Sequence, residues 1–258
     1  MEFEITVLNV VLLCLAGFAA AAVDAIAGGG GLISLPAFMA AGVPPHFALG
    51  TNKFSSSFGA VTSAYTFIRS GKVHIPLMKF TVPCTLAGSV IGVFTALRID
   101  QKFLRLIILV LIFATAIYTI AKKDFGSEDK FKELTSRNII QGCLFAFSLG
   151  FYDGFFGPGT GSFLIFLFIK VYGFDFTTAA GNSKVLNFVS NFTSLLMFAI
   201  NGKIYYMLGI PIGIAMIAGA RMGSKIAIKN GAKVIKPIFV TIALALTLKL
   251  LFDAVRLL

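Results

Sequence analysis

The sequence predicts an all-α fold: a polytopic helical membrane protein made of two homologous repeats. Three observations lead there. Of its 258 residues, 57% are apolar and only 13% charged, whereas a soluble domain carries roughly 25% charged residues. That is too little charge to cover a water-facing surface, which excludes a soluble enzyme. The apolar residues also run in long blocks between short charged or glycine-rich breaks. Finally, the second half of the chain repeats the first.

The blocks follow in order. The start, Met-Glu-Phe-Glu, has no cationic stretch, so segment A is expected to belong to the mature fold rather than to a signal peptide. Segment A, Ile5 to Ile26, is long enough to cross a ~30 Å hydrocarbon core, which takes about 20 helical residues. It ends in Ala27-Gly28-Gly29-Gly30-Gly31. Segment B, Leu32 to Ala41, is too short to cross. Segment C, His46 to Ile68, follows Pro44-Pro45, and segments D (Ile75 to Leu97) and E (Phe103 to Ala121) complete the first half. The charged stretch Lys122 to Arg137 reads as a linker. In the second half A′ spans Asn138 to Phe151 and a glycine-rich run follows to Gly161. Then come B′ (Ser162 to Tyr172), C′ (Thr177 to Ile200), D′ (Tyr205 to Ile228) and E′ (from Val234). The expected organisation is repeat one over 1–121, a cytoplasmic linker over 122–137 and repeat two over 138–258.

Residues 42–96 align with 173–227 without a gap, and 14 of 55 positions are identical. Among them are Gly50/Gly181, Lys53/Lys184, Ser63/Ser194, Gly71/Gly202, Lys72/Lys203, Gly88/Gly219 and Gly92/Gly223. Upstream, Asp24-x3-Gly28 matches Asp153-x3-Gly157. Transporters are commonly built by such duplication. If A and B form a hairpin that returns to its own side, each repeat keeps three crossings, and the repeats are inverted. If A and B make one crossing, the repeats are parallel. A, the glycine run and B together hold 37 residues, too many for one span, so inversion is expected, with glycine-broken short helices near the midplane.

Cation placement agrees with inversion. One side receives Arg69, Lys72, Lys122, Lys123, Lys130, Lys132, Arg137, Lys170, Lys225, Lys229, Lys233 and Lys236. The other receives Arg98, Lys102, Arg105, Lys203 and Arg256. Positive charge concentrates in cytoplasmic loops, which puts the linker in the cytoplasm and both termini outside. The Arg98–Arg105 cluster fits this arrangement least well. The same sorting accounts for the net charge of +11; no basic run is interleaved with aromatics as nucleic-acid binding would need. Cys14, Cys84 and Cys143 form no CxxC pair, and His46 and His74 are too few for a metal cluster. No metal and no cofactor is expected.

Four features could carry chemistry. The glycine runs end A and A′ and leave backbone N–H groups free at the starts of B and B′, where a helix N-terminus attracts anions. Glycines in membranes also serve close helix packing. Asp24 and Asp153 each put a carboxylate into a membrane segment, at about 2.5–3.5 kcal/mol on insertion scales. Either could couple movement to protons, or could hold the turn by accepting its amides. Helical spacing puts Lys184, Asn187, Asn191 and Ser194 on one face, with Lys53, Ser56, Ala60 and Ser63 equivalent. This stripe either lines a pathway or glues helices together. Gly88-x3-Gly92 and Gly219-x3-Gly223 read as packing positions, and Arg221 between the latter as a snorkelling cation.

The patterns VDAIAGGGGLISLPAFMAAGVPP, LGTNK, GFYDGFFGPGTGSF, GNSK, NGK and GARMGSKI occur in that order along the chain. They resemble the TauE/SafE sulfite exporter family, also called the 4-toluene sulfonate uptake permease family. The resemblance covers roughly 5–257. It implies a multi-pass protein of a bacterial or archaeal inner membrane that moves sulfite, organosulfonates such as sulfoacetate or taurine-like compounds, or related anions. It also implies a site made of Gly28, Gly29, Gly30, Gly31, Thr51, Asn52 and Lys53. Opposite them would sit Gly157, Gly159, Thr160, Gly161, Asn182, Ser183 and Lys184. The expectation is thus a secondary transporter working by alternating access, with Ser56, Ser63, Asn187, Asn191 and Ser194 along the pathway. The alternative is an anion channel, or a permease for another small carboxylate or inorganic anion. The expected partners are a small anionic substrate, the lipid bilayer and protons as coupling ion, with no nucleic acid. Whether the chain pairs as a homodimer stays open.

Overall fold

The computed structural model describes residues 6–104, 107, 108, 110, 129–131 and 133–230. Most of segment E, all of E′, residues Glu2 and Glu4 and the linker over 122–128 lie outside the described residues. Eight helices are described in full: α1 (Val7–Ala27), α2 (Gly31–Ala40), α3 (Pro45–Arg69), α4 (Ile75–Arg98), α5 (Ser136–Phe155), α6 (Thr160–Tyr172), α7 (Phe176–Ile200) and α8 (Tyr206–Asn230). There is no strand among the described residues. By length and apolarity α1, α4, α7 and α8 can each cross a membrane, while α2 and α6 are short apolar helices.

Local chemistry sets the helix starts. The Thr6 hydroxyl accepts from the Asn9 N–H at 3.2 Å before α1. Thr135 and Asn138 cap α5 reciprocally, each side chain taking the other's backbone N–H. Asp175 accepts from the Thr177 and Thr178 amides at 2.9 and 3.2 Å before α7. Such caps satisfy donors that have no partner inside the helix. Segment bounds agree with the sequence reading to within two residues except at A′. There the helix continues past Phe151 to Phe155, because Gly150 and Gly154 sit in close contact with α4 and the backbone turns only at Gly157, φ +102°.

Packing is inside-out relative to a soluble protein. Leu8, Leu15, Leu144, Ile200, Met207 and Ile214 are exposed, whereas Lys53, Lys184, Asn182, Ser183 and Ser194 are buried. With lipid as solvent, this arrangement keeps polar groups away from hydrocarbon. The two halves interlock. The most extensive packing is α4 on α5 and α1 on α8, each joining one half to the other, and α3 and α7 lie against each other between them.

The contacts come in equivalent pairs. A Cβ at Gly88 or Gly92 would overlap the carbonyl oxygens of Phe147 or Phe151 on α5. One at Gly219 or Gly223 would overlap those of Phe18 or Ala22 on α1. Small residues let backbones approach this closely. Likewise Gly50 meets the Lys203 carbonyl and Gly181 the Lys72 carbonyl.

Candidate functional site

Two helix breaks and two polar helix starts meet at one place. After Ala27 the chain turns at Gly28 (φ +80°), whose N–H donates to the Asp24 carbonyl at 2.8 Å. Only glycine adopts this conformation without strain. The turn abuts the other half: the Ser162 N–H donates to the Gly28 carbonyl at 3.2 Å and the Ser162 hydroxyl to the Ala27 carbonyl at 2.8 Å. A Cβ on Gly28 would overlap the Gly161 backbone, and one on Gly31 would lie 2.9 Å from Pro158 Cα.

Beside these tips is a cavity of about 40 Å³, room for a few water molecules. Of the residues expected at the site, Asp24, Gly30, Gly31, Asn52, Lys53, Asp153, Gly157 and Gly161 line it. So do Ser56, Ala60, Ser63, Asn187 and Asn191 from the polar stripes of α3 and α7. Sequence reasoning missed Ala20, Ala21, Ser34, Gly59 and Met216, which complete the wall. Only Ser34 among these bears a polar side chain, and its hydroxyl is spent on the Gly30 carbonyl at 3.3 Å.

Gly28, Gly29, Thr51, Gly159, Thr160, Asn182, Ser183, Lys184 and Ser194 are not part of the lining. Several of them hold the halves together. The Tyr205 N–H donates to the Thr51 hydroxyl at 3.0 Å, and the His74 N–H donates to Asn182 Oδ1 at 2.8 Å. These are the same bond made twice, once in each direction. The Ser183 hydroxyl donates to the Gly161 carbonyl at 3.0 Å and that of Thr160 to Gly157 at 2.7 Å. The short-helix amides are partly used: Gly30 N–H points to Asp24 Oδ1 at 3.4 Å, and Ser162 N–H to Gly28. Those of Gly31 and Gly161 have no acceptor among the described residues.

The charges are wired crosswise. Lys53 of α3 pairs with Asp153 of α5 at 3.0 Å, and Lys184 of α7 pairs with Asp24 of α1 at 2.9 Å. Each lysine therefore takes its carboxylate from the other half. Lys184 also donates to the Asp24 backbone carbonyl. The four groups sum to zero charge. A buried ion pair survives only with good geometry and further hydrogen bonds, and here the two pairs differ. Both Asp24 oxygens have donors, while Asp153 Oδ2 and Asn52 Oδ1 are buried without a partner.

An apolar exterior around a buried, lysine-bearing polar cavity where two broken helices meet defines a multi-pass membrane transporter rather than an enzyme. The chain belongs to the TauE/SafE sulfite exporter family, whose model matches residues 13–250. It is 36% identical over 243 residues to a probable membrane transporter protein of Haemophilus influenzae, covering 94% of each chain. It is equally similar to the probable membrane transporter protein YfcA of Escherichia coli, covering 93% of this chain and 87% of that one. A more distant relative, the probable membrane transporter protein YunE of Bacillus subtilis, is 22% identical over 271 residues. No solved structure matches the chain.

Proposed function

We propose that the chain is a secondary transporter of small sulfur-containing oxyanions, sulfite or organosulfonates, that works by alternating access in a bacterial inner membrane. The observation that carries this reading is Lys53, buried on the cavity wall beside the amide and hydroxyl groups of Asn52, Ser56, Asn187 and Asn191. Lys53 is held by Asp153 at 3.0 Å; once that pair opens, its ammonium among these amide and hydroxyl groups is chemistry suited to an oxyanion. The free Gly31 and Gly161 amides at two short-helix starts add to it. Alternating access is supported by the contact of the two helix breaks beside the cavity, where the Ser162 N–H meets the Gly28 carbonyl. The paired cross-half contacts fit two repeats related by a two-fold axis, and the length of A plus B and the placement of Lys and Arg favour inverted repeats with the linker cytoplasmic and the termini outside.

The test is counterflow in proteoliposomes. Purified protein is expected to give saturable exchange of sulfite or methanesulfonate. Lys53→Gln, in protein that keeps a monodisperse elution profile, is expected to abolish it. Unchanged saturable flux in Lys53→Gln would refute the site; flux that rises linearly with concentration would refute the carrier mechanism.

A further inference from the structure

We infer that the two crossed ion pairs have separate jobs: Asp153–Lys53 is a proton-exchanging pair, and Asp24–Lys184 is a fixed clamp. This rests on the transport reading above.

Three observations separate the pairs. Both members of the Asp153–Lys53 pair line the cavity, whereas of the other pair Asp24 lines it and Lys184 does not. Lys184 holds both the carboxylate and the backbone carbonyl of Asp24. The second Asp24 oxygen receives the Gly30 amide, but Asp153 Oδ2 has no donor. The Thr160 hydroxyl lies beside Asp153 and is also within 2.7 Å of the Gly157 carbonyl.

The difference originates in the loops. In Gly28-Gly29-Gly30-Gly31, Gly30 is right-handed (φ −57°) and turns its N–H toward Asp24. In Gly157-Pro158-Gly159-Thr160, Gly159 is left-handed (φ +86°), and no amide reaches Asp153. Gly157 also lacks a Cβ where one would press on Lys53 Nζ at 2.8 Å, so the ammonium has room beside the carboxyl.

Charge balance then sets the step. The two ion pairs are neutral as a set, so a monoanion arriving alone would leave a buried net charge, which is disfavoured away from water. A proton bound at Asp153 Oδ2 neutralises that carboxylate and releases Lys53, whose positive charge is then matched by the anion. When the anion leaves on the other side, the proton passes to water and the Asp153–Lys53 pair re-forms. One proton travels with each monoanion. Facing Asp153 are Lys53 and Asn52 from α3, Asp24 from α1 across the cavity, Thr160 from α6 and Asn187 and Asn191 from α7. Along α4, uncharged Ser89 meets α5 at Gly154 and uncharged Thr85 meets it at Gly150.

The test uses methanesulfonate, a permanently charged monoanion, in proteoliposomes containing a pH-sensitive dye. Wild type is expected to take up about one proton per anion by charge balance. In protein that still moves the anion, Asp153→Asn is expected to lower the ratio to zero and Asp24→Asn, at reduced flux, to keep it; the infrared band decides for a variant without flux. A ratio kept in Asp153→Asn, or lost in Asp24→Asn, overturns the assignment. Infrared difference spectra of the purified protein at falling pH give a readout independent of transport. A protonated-carboxyl band that Asp153→Asn removes and Asp24→Asn leaves supports it; no band in wild type, or one removed by Asp24→Asn, overturns it. If Asp153→Asn does not fold, Asp153→Glu decides, since the band must shift in that variant. A wild type that moves no sulfur oxyanion defeats the transport reading alone, and the infrared band then judges Asp153.

Discussion

Lys184 is fully buried and donates to both the carboxylate and the carbonyl of Asp24. Removing one partner of a buried pair leaves the other charge without compensation, at a cost of about 3–5 kcal/mol. Asp24 keeps 24% exposure, so screening should place the cost near the lower end of that range. Lys184→Met is therefore expected to lower thermal stability in detergent by about 3 kcal/mol. Adding Asp24→Asn should recover part of that loss, as a double-mutant cycle would measure. Thr51 and Asn182 make a second kind of tie. Asn182→Leu strands the His74 N–H and is expected to cost about 1–3 kcal/mol, with Thr51→Val doing the same at Tyr205. The sequence marks Thr51 and Asn182 as polar residues beside a lysine, and nothing more. That their side chains point to another helix start depends on contacts more than a hundred positions away.

The helices follow from local pattern, and their packing follows from glycine. Apolar length, Pro45 at the start of α3 and the hydroxyl, amide and carboxylate caps place the elements. Gly88, Gly92, Gly219 and Gly223 then let α4 and α8 lie against the backbones of α5 and α1. Gly88→Leu and Gly219→Leu are expected to be alike in effect, each reducing the yield of monodisperse protein severely, because no side-chain rotation relieves a clash with backbone. Gly28→Ala combines left-handed strain, roughly 1–2 kcal/mol, with overlap on Gly161. It is expected to abolish counterflow even where some protein still folds. The one element bound misread from sequence, the end of A′, shows the limit of composition. Gly150 and Gly154 look like breakers, yet they are packing positions inside a continuous helix.

Across the whole molecule, each half supplies what the other lacks: a carboxylate for its lysine and a helix for its glycine stripe. Neither half is expected to be stable alone. Cutting the chain between Lys122 and Arg137 should leave two halves that co-purify in detergent when expressed together, and give aggregates when expressed singly. Recovery of either half as a stable monomer would contradict the interlocked core. The sequence by itself determined the lipid environment, the helix spans, the duplication and the four recurring charges Asp24, Lys53, Asp153 and Lys184, because these depend on composition, period and self-similarity. Only the tertiary structure decided that the lysines pair crosswise, that Lys53 faces the cavity while Lys184 does not, and that Asp153 keeps a free oxygen. The reason is physical. Lys184 and Asp24 are 160 positions apart, and which polar group a buried charge meets is set by how helices pack. Gly30 and Gly159 separate two otherwise matching aspartates by opposite backbone conformations, that of Gly159 fitting its place after Pro158 in the turn closed by the Thr160 N–H on the Gly157 carbonyl.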